Sequence, residues 1–293
     1  MTGIRVSAVV LAALTNIPSL TGQSQPSTAC QLPGKLMHLS GISEASGIAV
    51  DRRVPGRLWT HNDSGQPILF AIDERGSVTG QLRIAGATME DWEAVAAGRC
   101  DTGSCLYIGD IGDNEAKRDH ITVYRVPEPD AAADTSAPAE AFHATYPDGP
   151  HDAEALLIAP DGRIHIVTKG NSGPIALYRF PVDLRAGSTV RLERVGGAKG
   201  EKDHDLRITD GAVSPDGRWT VLRSQHSLRF YRTSEFFEGH WRDGLRVDLT
   251  PLREPQGEGV AIGANNAVFV AGERGGGKHK GGTFARFSCP LGG

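Results

Sequence analysis

The chain is poor in aromatic residues, with Phe, Trp and Tyr together at 6%, and it holds only 3 Met and 4 Cys among 293 residues. No stretch reaches the roughly 20 apolar residues that a bilayer-spanning helix needs, which excludes stable insertion by that route. Positive charge is not in excess: 31 Lys and Arg stand against 35 Asp and Glu, for a formal charge of -4. That balance removes any general reason to bind nucleic acid or an anionic membrane. The sequence has no C-x-x-C pair, so zinc-ribbon and thioredoxin-like redox sites lack their ligands. It also has no G-x-S-x-G, and Ser46 in "EASGIA" has no base beside it, which argues against a serine hydrolase. The glycine-rich "GGGKHKGG" at 275–282 lacks the spacing of a phosphate loop and reads as a mobile basic loop.

What is abundant is turn chemistry. With 37 Gly, 17 Pro and many short β-branched runs, the chain reads as turn-rich β structure in one large domain, residues 30–293. Residues 1–22 carry Arg5 and an apolar run from Val6 to Leu14, broken by Asn16 and Pro18. This is the length of a signal-peptide core, so a secreted or periplasmic protein is expected, with cleavage up to residue 29. Small residues at Ser27-Thr28-Ala29 before Cys30 resemble a lipoprotein processing site but lie far from the apolar core. Four cysteines suit an oxidising compartment and allow three pairings. Cys100 and Cys105 flank the turn-forming "DTGS", which favours a local bond and leaves Cys30 for Cys289.

A unit of about fifty residues recurs, within the range of propeller blades. Its first strands align as "SGIAV", "EAVAA", "EALLI", "DGAVS" and "EGVAI", each followed by a turn and a second strand. Third strands follow at "ILFAID", "ITVYRV", "IALYRF", "LRFYRT" and "TFARFS", and fourth strands at "VTGQLRIAG", "AFHATYP", "TVRLERVGG" and "LRVDLTPL". The fifth unit ends before a fourth strand, and "KLMHLSG" at 35–41 can supply it. The expectation is an all-β, five-bladed β-propeller, monomeric, closed by an N-terminal strand that completes the last blade and locked by Cys30–Cys289. Another all-β repeat, or six blades with one degenerate, are the alternatives. Residues 127–140, "PEPDAAADTSAPAE", read as a flexible loop between third and fourth strands.

The first strand of each blade lines a propeller's axis, and here each begins on an oxygen-bearing residue: Ser46, Glu93, Glu154, Asp210 and Glu258. Two residues earlier, on the same side of an extended chain, stand Glu44, Asp91, Asp152, Ile208 and Gln256. Four carboxylates and a hydroxyl around one axis are hard oxygen ligands of the kind Ca²⁺ takes, and like charges so close call for a positive partner. The alternative is a water-filled channel with partly protonated carboxyls. The loops between second and third strands add His61, Asn62 and Asp63; Asp110, Asp113 and Asn114; Lys169 and Asn171; Arg223, Gln225 and His226; Glu273 and Arg274. Lys169, Arg223 and Arg274 are either counter-ions or the seat of a small anionic ligand at the top face. His151 and His204 precede ring positions and read as exposed loop histidines.

"WTHNDSG", "DWEAVA", "LYIGDIGDN", and "YPDG" followed by "DAEAL" resemble a set of secreted bacterial propeller proteins of no settled activity, over most of the mature chain. More distantly, the acidic ring with "DWEAVA...LYIGD" and "GEGVAI" is similar to the calcium-activated nucleotidases, or apyrases. That resemblance implies five blades, an axial Ca²⁺, and Ser46, Glu93, Glu154 and Glu258 as metal-site residues; it implies a Ser where Asp210 stands. Six-bladed sugar-lactone hydrolases share the axial-metal logic. Two functions follow as expectations. One is a Ca²⁺-dependent hydrolase of a phosphoanhydride, phosphoester or lactone, in which Asp91 or Asp152 activates water and Arg223, Arg274 or Lys169 holds the anion. The other is a non-catalytic propeller with a structural Ca²⁺ that binds a glycan or protein.

Overall fold

The structure, a computed structural model, describes residues 30–101, 103–129, 133–171, 173–198, 207–241, 244–275 and 281–292. The expected signal segment, His204 and most of the "GGGKHKGG" loop lie outside these residues. Among the described residues, twenty-one strands form five sheets, and helix is confined to one short segment, α1 (Thr233–Phe237), and brief 3-10 turns. None of these helices is long and apolar enough to cross a membrane.

A single strand, β1 (Met37–Leu39), precedes the first blade, which is β2 (Ala45–Val50), β3 (Arg57–Asn62), β4 (Ile68–Asp73) and β5 (Val78–Arg83), paired in that order. The second blade is β6 (Trp92–Cys100), β7 (Gly103–Asp110), β8 (Ile121–Pro127) and β9 (Glu140–Thr145). The third runs β10 (Ala153–Ile158), β11 (Ile164–Thr168) and β12 (Ala176–Arg179), and after β13 (Thr189–Arg191) it is completed by β14 (Glu193–Gly197). The fourth is β15 (Ile208–Val213), β16 (Trp219–Ser224), β17 (Ser227–Arg232) and β18 (Leu245–Asp248). The fifth is β19 (Gln256–Ile262), β20 (Ala267–Glu273) and β21 (Gly282–Ser288), and β1 pairs antiparallel with β21, Met37 opposite Phe284. The first strands touch one another in the ring order β2, β6, β10, β15, β19 and back to β2. This is a five-bladed β-propeller.

Two expectations need correction. The segment "TVRLERVGG" is not one fourth strand: β13 pairs parallel with β9 at the rim of the second blade, and only β14 joins the third. The loop after β8 is not uniformly loose either. Its later part lies along the first blade, where the Arg83 N–H donates to the Asp134 carbonyl (2.9 Å) and the Ser136 N–H to the Arg83 carbonyl (2.9 Å). Both segments satisfy a sheet edge that would otherwise present unpaired backbone groups.

The alternation along each strand buries one row of side chains against each neighbouring blade, so the core is five clusters between sheets rather than one. Trp59, Trp92, Leu106 and Tyr124 lie between the first and second blades, and Val221, Phe230, Val268 and Phe287 between the fourth and fifth. Each such side chain contributes about 1.5–3 kcal/mol by leaving water. Both expected disulfides are formed, Cys30–Cys289 and Cys100–Cys105, so no thiol is left at Cys30.

Where the first two blades meet on the face away from the second-to-third-strand loops, Asp51 and Glu128 hold the blades together. Asp51 accepts from the Arg53 and Val54 N–H groups (2.8 and 2.7 Å), from Trp59 Nε1 (2.9 Å) and from Arg57 Nε. Glu128 accepts from the Arg52 N–H (2.9 Å) and Ser104 Oγ (2.6 Å). Burial pushes the Glu128 carboxyl up to about 7, and the Asp51 carboxylate at hydrogen-bond range adds to the rise. The folded protein therefore holds this proton more tightly than the unfolded chain. The stabilisation is complete below the unfolded value near 4.5 and is lost as pH rises through about 7. Glu128→Gln is expected to flatten the decline of unfolding free energy between pH 5 and pH 8, read by urea denaturation; an unchanged slope would remove Glu128 as its source.

Candidate functional site

The ring positions share one backbone device. In each of the five inner strand pairs the register slips at the same step: between Ala45 and Ile48, Trp92 and Ala94, Ala153 and Ala155, Ile208 and Asp210, and Gly257 and Val260. A bulge leaves its extra residue out of the ladder and re-aims its side chain. The residues that begin these slips are Ser46, Glu93, Glu154, Thr209 and Glu258.

The fourth blade therefore differs from the sequence expectation. Thr209, not Asp210, holds the ring position, and it repeats what Ser46 does. Ser46 Oγ donates to the Glu93 carbonyl (2.9 Å) in the next blade, and Thr209 Oγ1 donates to the Glu258 carbonyl (2.9 Å) in the next blade. Asp210, one residue on, is fully buried and accepts the Val260 N–H (2.8 Å) of the next blade, with the Gly211 and Ile48 N–H groups nearby. Its carboxyl is pushed well above the usual range by burial, against those backbone donors. It ties the fourth blade to the fifth.

Three of the four expected ring carboxylates, Glu93, Glu154 and Glu258, act on one another's ionisation, and Asp210 does not join them. Glu93 and Glu154 are buried at 8% and 2% exposure. Burial raises Glu93 well above the ordinary carboxyl range, with Glu154 and Asp91 adding repulsion, and burial takes Glu154 to about 8 against the pull of Lys169. Asp91, Glu258 and Asp63 are raised by burial first, Asp91 also by Asp152 and Asp63 also by Glu44. Glu273 reaches about 7 through burial and the charges of Glu258, Asp63 and Glu44. Gln256 Nε2 bridges Glu258 and Glu273 at 2.9 and 2.7 Å.

The three expected cations part company. Lys169 is in the cup: its ammonium contacts Glu154 Oε1 and lies 3.6 Å from Asp152 Oδ2. Burial alone would lower it, but Glu154 and Asp152 raise it, so it stays charged. Arg223 is fully buried, and its guanidinium donates to Glu254 (2.6 Å) and to the Gly259 and Ala271 carbonyls (2.6 and 2.8 Å), so it does not meet the mouth. Arg274 is exposed, with its backbone N–H on the Ser43 carbonyl (3.1 Å). His61 is buried as well, edge-on to Trp92 at 5.9 Å, and burial lowers it to about 4.

Sequence reading missed Arg118. It donates to Asp110 (2.8 Å) and the Gly112 carbonyl (2.9 Å) and lies 3.2 Å from Glu90, which supplies the positive partner that "DIGDN" demands. Asp113 caps the same loop by accepting the Lys117 and Arg118 N–H groups, and the Asp113 N–H donates to Asp152 Oδ1 (2.9 Å). A cation eight residues after Asp110, within one hairpin loop, was the available signal.

The donors at the ring suit a hard cation, since they are carboxylates and hydroxyls, and Ser46 and Thr209 spend their protons on carbonyls and keep their lone pairs. Among the described residues, no three acidic, His or Cys side chains stand close enough together to grip an ion as they are placed. No protein-family profile matches the chain, and no curated protein matches it in sequence. Solved structures with the same fold include the PQQ-bound aldose sugar dehydrogenase of Streptomyces coelicolor, with TM-score 0.52 and 10% identity over 90% of this chain and 99% of that one. Another is the calcium-binding protein regucalcin of Agrobacterium tumefaciens, with TM-score 0.50 and 15% identity over 89% and 97%. Both are propellers and neither is a nucleotidase, so the likeness is one of fold.

Lys169→Met strips Glu154 and Asp152 of their ammonium. In chelator at pH 7 the variant is expected to unfold at lower urea, by about 3 kcal/mol, the scale for breaking a buried pair. Unchanged stability would show that the lysine does not hold the cup.

Proposed function

We propose that the chain is an exported, calcium-dependent propeller hydrolase that cleaves a small ester or lactone at the mouth of the axis. The observation that carries this reading is the common bulge, which sets two hydroxyl and three carboxylate residues at the equivalent inner-strand position of five blades. Ser46, Glu93, Glu154, Thr209 and Glu258 would hold the ion, and Glu154 would exchange the Lys169 ammonium for it. Bound there, Ca²⁺ supplies Lewis acidity toward a carbonyl or phosphoryl oxygen. Asp152 is the water-activating group: its Oδ1 is fixed by the Asp113 N–H, while Oδ2 is a buried acceptor that no hydrogen-bond donor satisfies, the setting in which a protein retains an ordered water. The calcium-binding description of regucalcin, which has this fold, supports the metal. Export is supported by the two disulfides. In this reading β1 is the strand that closes the ring, with Cys30–Cys289 as its lock.

The anionic substrate expected from three cations receives less support. Lys169 is committed to carboxylates and Arg223 to Glu254, leaving Arg274 at the rim among acidic neighbours. A phosphoanhydride is accordingly the weakest of the candidate substrates. The non-catalytic alternative is favoured by one observation, the internal neutralisation of Asp152 and Glu154 by Lys169, which lets the cup stand without an ion.

Calorimetry and turnover of an ester, lactone and phosphoester panel, with and without chelator, test both readings. Glu258→Gln and Thr209→Val are expected to weaken calcium binding about tenfold each, on the order of 1.4 kcal/mol for a lost oxygen ligand. Asp210→Asn is expected to leave calcium affinity alone and to lower stability. Calcium loss in Asp210→Asn with none in Thr209→Val would restore the register read from the sequence.

A further inference from the structure

The second and third blades carry the same stacked pair, Asp91 over Glu93 and Asp152 over Glu154, and they treat it differently. The registers are equivalent: Trp92 pairs with Asp110 as Ala153 pairs with Thr168, which makes Ile111 the counterpart of Lys169. The Lys169 N–H donates to the Asp152 carbonyl as the Ile111 N–H donates to the Asp91 carbonyl. In the third blade the lysine turns its ammonium onto its own carboxylate pair. In the second blade Ile111 turns into the core, and the residue that faces the pair is Gly112. A Cβ on Gly112 would collide with the Asp91 carboxylate and come within 2.7 Å of Glu93 Oε1. Both carboxylates thus converge on the space beside this glycine.

Neither carboxylate has a hydrogen-bond or ion-pair partner among the described residues, although Glu93 is only 8% exposed. Arg118 lies near Asp91 but its guanidinium is engaged by Asp110, the Gly112 carbonyl and Glu90. Gly112 and Asp91 line an open cavity of about 600 Å³, with Glu93 set behind them; five acidic side chains, Glu90, Asp91, Asp113, Glu115 and Asp119, line it against two cations, Arg118 and Lys117, the latter paired with Glu115 (2.6 Å). A buried, unpaired carboxylate is costly until a cation reaches it.

We propose that Asp91 and Glu93, beside Gly112, form a seat for the primary ammonium group of a small-molecule ligand whose body occupies this cavity. The third blade shows the chemistry within the same chain, an alkylammonium held by the equivalent two carboxylates. A primary ammonium brings three N–H donors to carboxylate acceptors, whereas two carboxylates supply too few oxygens for the six to eight that Ca²⁺ takes. The seat goes beyond the hydrolase reading and does not require it; if that reading holds, Glu93 is shared between the ion and the ammonium, Asp91 belongs to the ammonium alone, and the substrate is an amine-bearing ester or lactone.

Three molecules of one length separate the possibilities: 1,5-diaminopentane, 1,5-pentanediol and glutarate, each titrated calorimetrically into the full protein in chelator and again in calcium. The diamine is expected to bind saturably with one strong site, and the diol and the dicarboxylate to bind at least tenfold more weakly. Asp91→Asn should weaken the diamine about tenfold, the scale of one charge-assisted hydrogen bond, while leaving calcium binding as in the wild type. Gly112→Lys, which gives the second blade its own ammonium, should abolish diamine binding; circular dichroism and the urea midpoint confirm that the variant is folded. Glutarate or the diol binding as tightly as the diamine would overturn the proposal. So would diamine binding that survives Asp91→Asn, or calcium that displaces the diamine one for one in wild type but no longer binds Asp91→Asn. Diamine binding with no calcium binding by any variant would sink the metal reading and leave the seat standing.

Discussion

Like charge confined at one level of a closed ring is the constraint on which the upper half of this molecule turns. Glu44, Asp63, Asp91, Glu93, Asp152, Glu154, Glu258 and Glu273 share the mouth of the axis with Lys169, and burial, with mutual repulsion added to it, displaces Asp63, Glu93, Glu154 and Glu273 upward. Such a cup persists only because the remainder of the fold supplies more stability than the repulsion removes. Five clusters of buried apolar side chains between blades, two disulfides and the bond of Asp210 to the adjoining strand meet that requirement. A site that is poorly satisfied in a well-satisfied scaffold points to a ligand that completes it.

The geometry of the cup comes from a backbone irregularity repeated five times. Regular strands would alternate their side chains between the two neighbouring blades and leave the axis to backbone. One bulge per inner strand breaks that alternation where the chain enters the ring, and the glycines that follow permit close approach: a Cβ on Gly47 would meet the Val95 backbone nitrogen at 2.5 Å and His61 Nε2 at 2.9 Å. The same device decides which residues face the ring and which face the core. Ser46 and Thr209 stand inside the slip and reach the next blade's carbonyl; Asp210 stands outside it and serves the core.

Much of this was legible in the residues. The period of fifty, the turn chemistry between Cys100 and Cys105, and the leftover pair Cys30 and Cys289 led to the blade count and to both disulfides, because these depend on local composition and on counting. The ring residues Ser46, Glu93, Glu154 and Glu258 were legible for the same reason, as acidic or hydroxyl residues at the head of an apolar run. What failed was one-residue register and direction. "RITDG" offers a hydroxyl and a carboxylate side by side, and composition favours the carboxylate, while the bulge, which no residue type announces, selects the hydroxyl. Arg223 looked like a rim cation because it ends a strand, yet pairing with Leu228 places it within the ladder and turns its guanidinium toward Glu254 in the adjoining blade. The strand "TVRLERVGG" divided because its first half found an unpaired edge on the blade beside it.

The comparison between blades carries further than the comparison with other propellers, because at such low identity the latter transfers a fold and little else. Internal repeats provide their own control: positions equivalent by register face the same backbone environment, so a difference in side chain isolates a difference in task. One residue past the partner of each pre-bulge residue the five blades present Asp63, Ile111, Lys169, Gln225 and Glu273, one ammonium among acidic and neutral groups. If all five served only to balance charge, cations would be spread around the ring. Instead the third blade alone holds an ammonium against its own carboxylate pair, and the carboxylates of the other blades feel that charge only from a distance. The mouth is therefore polarised, with its acidic arc running from Glu258 through Glu273, Asp63 and Glu44 to Asp91. Such a field would orient a cationic ligand before contact, the steering that the proposed ammonium seat at the second blade requires.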